Sequence, residues 1–83
     1  MYQVNLSNRA RKDQKKLDIV SLRKVRKVLD LLTLNPLFGE KMTGEFKGLY
    51  RVKIPPLRIM YFPDIKNKNI TIIKIGFRGD VYK

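Results

Sequence analysis

Alternating apolar and polar residues open the chain. Tyr2, Val4 and Leu6 are apolar, whereas Gln3 and Asn5 between them are polar. Successive side chains of a strand point to opposite faces of a sheet, so a period of two places the apolar residues on one side. The pattern predicts an N-terminal strand with one buried face.

A short helix is predicted after this strand, over residues 9–16. Ser7 or Asn8 is its N-cap, because both side chains can accept a hydrogen bond from a free backbone N–H of the first turn. Only Ala10 and Leu17 are available for packing, so most of this helix faces solvent.

A longer helix is predicted over residues 19–34, with Asp18 as its N-cap. Asn35 and Pro36 end it, since the residue before a proline is pushed out of the helical region. Its apolar residues recur at helical spacing and form one stripe, which consists of Leu22, Val25, Val28, Leu29 and Leu32.

The rest of the chain has a strand pattern. Residues 36–48 contain glycines, a proline and mixed charges, and they are predicted to form an ordered loop. Strands are predicted at residues 50–54, 57–62 and 70–77, separated first by Pro55 and Pro56 and then by a polar turn.

These elements predict one domain, residues 1–83, of the α+β class, because 83 residues leave no room for a second core. The expected architecture is a small antiparallel-rich sheet with two N-terminal helices packed on one face. The N-terminal strand and a C-terminal three-stranded meander form this sheet.

Alternation within the meander separates an apolar face from a basic one. We expect the more apolar set to pack against the helices, and this set is Val52, Ile59, Ile73 and Ile75. The opposite face then presents the cations Arg51, Lys53, Arg58, Lys74 and Arg78.

Charge makes nucleic acid the expected partner. The chain has 19 Lys and Arg against seven Asp and Glu, a formal net charge of +12, and such an excess attracts polyanions. Arg23, Arg26 and Lys27 on the second helix add general attraction to RNA. Phe62 or Phe77 could stack on a base if exposed.

Missing residue types exclude several kinds of chemistry. The chain has no His and no Cys, so we expect neither imidazole acid–base catalysis nor a zinc site of the usual kind. The carboxylates are scattered and no glycine-rich phosphate loop is present, so we expect no metal and no small-molecule cofactor. No apolar run is long enough to cross a membrane, and no secretory signal is recognisable, so we expect a cytoplasmic protein.

Lysine, arginine and tyrosine can still support RNA cleavage. The nucleophile, a 2′-hydroxyl, is part of the substrate and requires deprotonation, in-line placement and a stabilised phosphorane. Clustered cations favour the deprotonated forms of lysine and tyrosine near neutral pH.

Several short motifs follow one another along the chain. The helix exit at Asn35 and Pro36 comes first, and Gly48 stands before the first strand of the meander. The later motifs are Tyr50 to Lys53, Arg58 to Tyr61, Ile75 to Arg78, and Val81, Tyr82 and Lys83. In the order and spacing of these residues, the sequence resembles the RelE-like toxins of the RelE/ParE superfamily over essentially the whole chain.

The resemblance implies a type II toxin, an endoribonuclease that cleaves mRNA on the ribosome by attack of the 2′-hydroxyl and without a metal. It implies that Lys53 and Tyr82 handle protons, that Arg58 and Arg78 hold the phosphate, and that Arg51 assists electrostatically. It also implies an acidic antitoxin that masks the basic sheet face. Two alternatives stay open, a ParE-like inhibitor of DNA gyrase and a non-catalytic basic RNA-binding protein.

Overall fold

The computed structural model describes residues 1–77, which form two helices and five strands. In chain order these elements are β1 (Gln3–Leu6), α1 (Asn8–Lys15), α2 (Ile19–Leu34), β2 (Glu40–Lys41), β3 (Tyr50–Ile54), β4 (Leu57–Asp64) and β5 (Asn69–Phe77). A short 3₁₀ helix, Gly44–Phe46, lies between β2 and β3. Neither described helix is long and apolar enough to span a membrane.

Side-chain caps start both helices. The Ser7 hydroxyl accepts a hydrogen bond from the Ala10 N–H at 3.0 Å, so Ser7 rather than Asn8 is the N-cap of α1. The Asp18 carboxylate accepts from the Ser21 N–H at 3.0 Å and caps α2, as predicted. These hydrogen bonds also hold the pKa of Asp18 below its ordinary value.

The five strands form one sheet in the order β1-β5-β4-β3-β2. β1 runs parallel to β5, and the other neighbours are antiparallel. β2 lies within the stretch predicted to be a loop, so that prediction was wrong at Glu40 and Lys41. Two residues are too few to show a period of two, and the pairing with β3 is visible only in three dimensions.

The core lies between the sheet and the helices, which cover one face as predicted. α2 contributes Val25, Val28 and Leu32, and α1 contributes Ala10. The sheet contributes apolar residues from three strands, namely Val52, Leu57, Ile59, Tyr61, Ile70, Ile72 and Ile75.

One residue of the predicted apolar face points the other way. The register between β4 and β5 shifts, so that Met60 pairs with Lys74 and Tyr61 with Ile72. Ile73 is the extra residue, and it packs in a second cluster with Met60 on the face away from the helices. The prediction for Ile73 was therefore wrong, and Ile72 occupies the core position instead.

Candidate nucleic-acid interface

Strand pairing brings four predicted basic residues onto one face of the sheet. Arg51 pairs with Met60, which pairs with Lys74 on the next strand. Lys53 pairs with Arg58. Directly paired residues lie on the same side of a sheet, and Met60 packs away from the helices. We call Arg51, Lys53, Arg58 and Lys74 the cationic face.

The cationic face is open to solvent and surrounds a small apolar floor. The Arg51 and Lys53 side chains are 30% and 43% exposed, and Arg58 is half-buried. Met42 and Met60 are buried beside these cations, and Phe46, Leu49 and Ile73 pack against the two methionines. Gly76 pairs with Arg58, so the residue directly opposite Arg58 on β5 carries no side chain.

An acidic residue also lies on this face. Glu40 pairs with Arg51 across β2 and β3, and its Oε2 lies 3.3 Å from Arg51 Nη2. The other carboxylate oxygen, Oε1, lies 3.8 Å from Lys53 Nζ. The sequence did not predict this role for Glu40, because residues 36–48 were predicted to be a loop. Without β2, nothing placed the Glu40 carboxylate opposite the basic residues of β3. The charge of the site is therefore partly compensated.

Tyr61 fixes the backbone just before Glu40. Its side chain is fully buried, and its hydroxyl accepts a hydrogen bond from the Gly39 N–H at 2.9 Å. A Cβ at residue 39 would lie 2.5 Å from the Arg51 carbonyl oxygen and 2.9 Å from the Tyr61 hydroxyl. Only glycine permits this close approach, which brings β2 against β3.

The buried environment changes the titration of Tyr61. Desolvation raises the pKa of its hydroxyl, although the hydrogen bond from Gly39 opposes the rise in part. The folded protein therefore favours the neutral phenol. This tyrosine also contacts Tyr50, with ring centroids 5.7 Å apart.

The predicted basic residues of α2 do not join the cationic face. Arg23, Arg26 and Lys27 are exposed on α2, in the layer on the other side of the sheet. Arg78 and Tyr82 lie outside the described residues. The structure thus assembles Arg51, Lys53, Arg58 and Lys74 and separates them from the basic residues of α2.

Comparison with known proteins gives a consistent result. A family model described as the ParE toxin of the type II toxin–antitoxin system parDE matches residues 4–82. The chain is also 33% identical, over 99% of its length, to a RelE1 toxin homologue of Methanocaldococcus jannaschii, of which it covers 96%.

Solved structures have the same fold. In the RelBE2 toxin–antitoxin complex of Mycobacterium tuberculosis, a chain with 25% identity superposes with a TM-score of 0.85, covering 93% of this chain and 98% of that one. In the archaeal RelE–RelB complex of Pyrococcus horikoshii the TM-score is 0.77 at 25% identity, covering 95% and 97%. The isolated Escherichia coli RelE toxin, at 23% identity and a TM-score of 0.84, shares the fold over 99% of this chain and 92% of that one.

Tyr61→Phe tests the anchoring of Gly39. We expect the free energy of unfolding to fall by about 1 kcal/mol at neutral pH, because one intramolecular hydrogen bond is lost. Wild-type stability should fall above a pH of about 10, where unfolded tyrosine ionises and the raised pKa of Tyr61 disfavours ionisation in the fold. The variant should lack this part of the alkaline loss.

Urea unfolding across the alkaline range measures both effects. Tyr50→Phe is the matched control, since Tyr50 makes the ring contact but not the hydrogen bond to Gly39. Identical alkaline profiles for wild type and Tyr61→Phe would contradict the assignment.

Proposed function

The chain belongs to the ParE toxin family of type II toxin–antitoxin systems, as a RelE-like toxin, and on this premise we propose that it is an endoribonuclease that cleaves mRNA on the ribosome. The observation that carries the proposal is the direct pairing of Lys53 with Arg58, beside Arg51 and Lys74 on an exposed sheet face. Residues on a rigid sheet hold such cations at fixed separations, as phosphate recognition requires.

The cationic face suits the charge that develops during RNA cleavage. The 2′-oxygen attacks the neighbouring phosphorus, and the bond from phosphorus to the 5′-oxygen breaks, which leaves a cyclic phosphate. Negative charge on the phosphoryl oxygens increases as the phosphorane forms. Guanidinium groups bind such oxygens through two parallel hydrogen bonds, and Arg58 and Arg78 take this role in the proposal.

Two proton transfers complete the reaction. The 2′-hydroxyl loses a proton and the leaving 5′-oxygen gains one. Lys53 and Tyr82 carry these transfers, and Arg51 stabilises the charge from the adjacent position on β3. The protein supplies the side chains that transfer the protons, and the RNA supplies the nucleophile. Cleavage by this route therefore requires no metal.

Glu40 controls access to two of these cations. Its carboxylate bridges Arg51 and Lys53 in the protein without RNA. A phosphate that binds the same two cations must compete with this carboxylate. Because both ion pairs are substantially exposed, each is weak, and a polyanion with several contacts can displace them.

Inhibition of DNA gyrase is the second candidate, because the matching family model is that of the ParE toxin. The likeness to the RelE1 toxin homologue and the presence of Lys53 and Arg58 favour RNA cleavage instead. A purely RNA-binding role without catalysis would leave expression harmless. The three functions differ in what happens to transcripts and DNA after expression.

An antitoxin is the expected protein partner. The structural relative from Mycobacterium tuberculosis comes from the toxin–antitoxin complex RelBE2, and the relative from Pyrococcus horikoshii comes from a RelE–RelB complex. We propose that an acidic segment of this chain's antitoxin covers the cationic face, since opposite charge accelerates association and would exclude RNA from the same residues.

Arg58→Ala should lower the rate of transcript cleavage by about 10²- to 10³-fold, because one charged contact to the phosphorane is lost. Arg78→Ala and Tyr82→Phe should likewise relieve growth arrest with the fold intact. Primer extension on cellular transcripts after induced expression measures the cleavage, and circular dichroism checks the fold.

Arg11→Ala is the matched control, because Arg11 is an exposed arginine of α1 outside the cationic face. Undiminished cleavage by Arg58→Ala, Arg78→Ala and Tyr82→Phe would refute the site. Intact transcripts with accumulating DNA breaks would establish the gyrase function instead.

Affinity purification of the tagged chain from cells that express its genomic neighbour should recover an acidic partner, identified by native mass spectrometry. The complex should fail to bind RNA that the free chain binds. Recovery of the free chain alone would count against the antitoxin, and simultaneous binding of RNA and partner would refute masking of the cationic face.

Glu40→Gln should strengthen binding of RNA severalfold, because an anion that competes with phosphate is removed while the side-chain volume is kept. Fluorescence anisotropy with a labelled RNA whose 2′-hydroxyls are replaced by fluorine measures affinity without cleavage. Glu45→Gln makes the same charge change at an exposed residue outside these ion pairs. Equal gains for both variants would show a net-charge effect only.

A further inference from the structure

A cleft of about 270 Å³ lies between α1 and the C-terminal half of β5. β1 pairs with β5 as far as Ile72, and α1 packs against β5 beyond this residue. The Ser7 hydroxyl donates to the Ile73 carbonyl at 2.8 Å, and the Ile75 N–H donates to Asp13 Oδ2 at 3.0 Å. These bonds hold α1 against the strand, so the walls of the cleft are fixed.

The lining combines three kinds of group. Arg9, Lys16 and Lys74 are cations, and the carboxylate of Asp13 is nearly buried among them. Leu17, Ile75 and Phe77 supply apolar surface, and Phe77 is 47% exposed. Such a site can pack against the face of a flat ring and form hydrogen bonds with donors and acceptors on the edge of that ring.

Asp13 makes the cleft unsuitable for a phosphate alone but suitable for a base. Arg9 Nε lies 3.1 Å from Asp13 Oδ1, and the Ile75 N–H occupies one direction at Oδ2. An ionised carboxylate has about four acceptor directions, and these contacts use two of them. The other two would accept hydrogen bonds from an exocyclic amino group. Uracil offers only one N–H on this edge, and its two flanking carbonyl oxygens would be repelled by the carboxylate.

We propose that this cleft binds a nucleobase with an exocyclic amino group, stacked on Phe77 and hydrogen-bonded to Asp13. Lys74 belongs to both the cleft and the cationic face, and Gly76 joins the cleft to Arg58 through strand pairing. An RNA strand with one phosphate bound on the cationic face thus places a neighbouring base at the cleft. This inference rests on the proposed function, because it requires RNA on that face.

Phe62 provides a matched control for Phe77. It is another phenylalanine of the sheet, 43% exposed, but it pairs with Thr71 and does not line the cleft. Both phenylalanine rings are exposed enough to stack on a base. A difference in RNA binding between Phe77→Ala and Phe62→Ala would therefore depend on where the ring lies.

The test measures binding of the full chain to short 2′-fluoro oligonucleotides by fluorescence anisotropy. Wild type should bind guanine-, adenine- or cytosine-containing oligonucleotides more tightly than uracil-only ones. Phe77→Ala should weaken binding about 5- to 150-fold and remove the preference, while Phe62→Ala keeps it. The salt dependence should not change in Phe77→Ala, because no phosphate contact is lost.

Equal losses for Phe77→Ala and Phe62→Ala, or equal affinity for an abasic strand, would overturn the proposal. If Phe77→Ala lost antitoxin binding but kept RNA binding, the cleft would belong to the protein partner, and this result would also overturn the proposal. Base preference without any cleavage in cells would refute the endoribonuclease and leave the cleft established, so the two failures are distinguishable.

Discussion

The alternation of side chains along three paired strands is the constraint on which the rest of the molecule depends. Val52, Ile59 and Ile75 point into the core, and the cations next to them in sequence point outward, namely Arg51, Lys53, Arg58 and Lys74. The same backbone hydrogen bonds therefore align the core on one side and the charges on the other. Burial of the apolar face offsets the repulsion among cations that lie close together on the exposed face.

Asp13 shows how an edge of this sheet is completed. Within residues 1–77 no strand lies beside the N–H of Ile75, and the Asp13 carboxylate takes the place of a carbonyl partner. Arg9 in turn faces the same carboxylate at 3.1 Å. A helix thus protects the strand edge from pairing with another chain, and it leaves a polar cleft where a further strand would have filled the space.

Most of the fold follows from local patterns in the sequence. The spacing of Val25, Val28 and Leu32 specifies the buried side of α2, and Asp18 specifies its start. Local patterns cannot show the register shift that turns Ile73 away from the core, because it arises between two strands. The same limit applies to Glu40, whose position beside Arg51 and Lys53 depends on the pairing of a two-residue strand.

The contact between Tyr61 and Gly39 means that the residue type allowed at position 39 depends partly on the residue at position 61. A side chain at residue 39 would collide with both the Arg51 carbonyl and the Tyr61 hydroxyl. Shortening residue 61 would relieve only one of these collisions, since the other involves backbone. Among related sequences, glycine at position 39 should therefore persist wherever β2 is retained, and covariation with position 61 should appear only where this edge strand has moved.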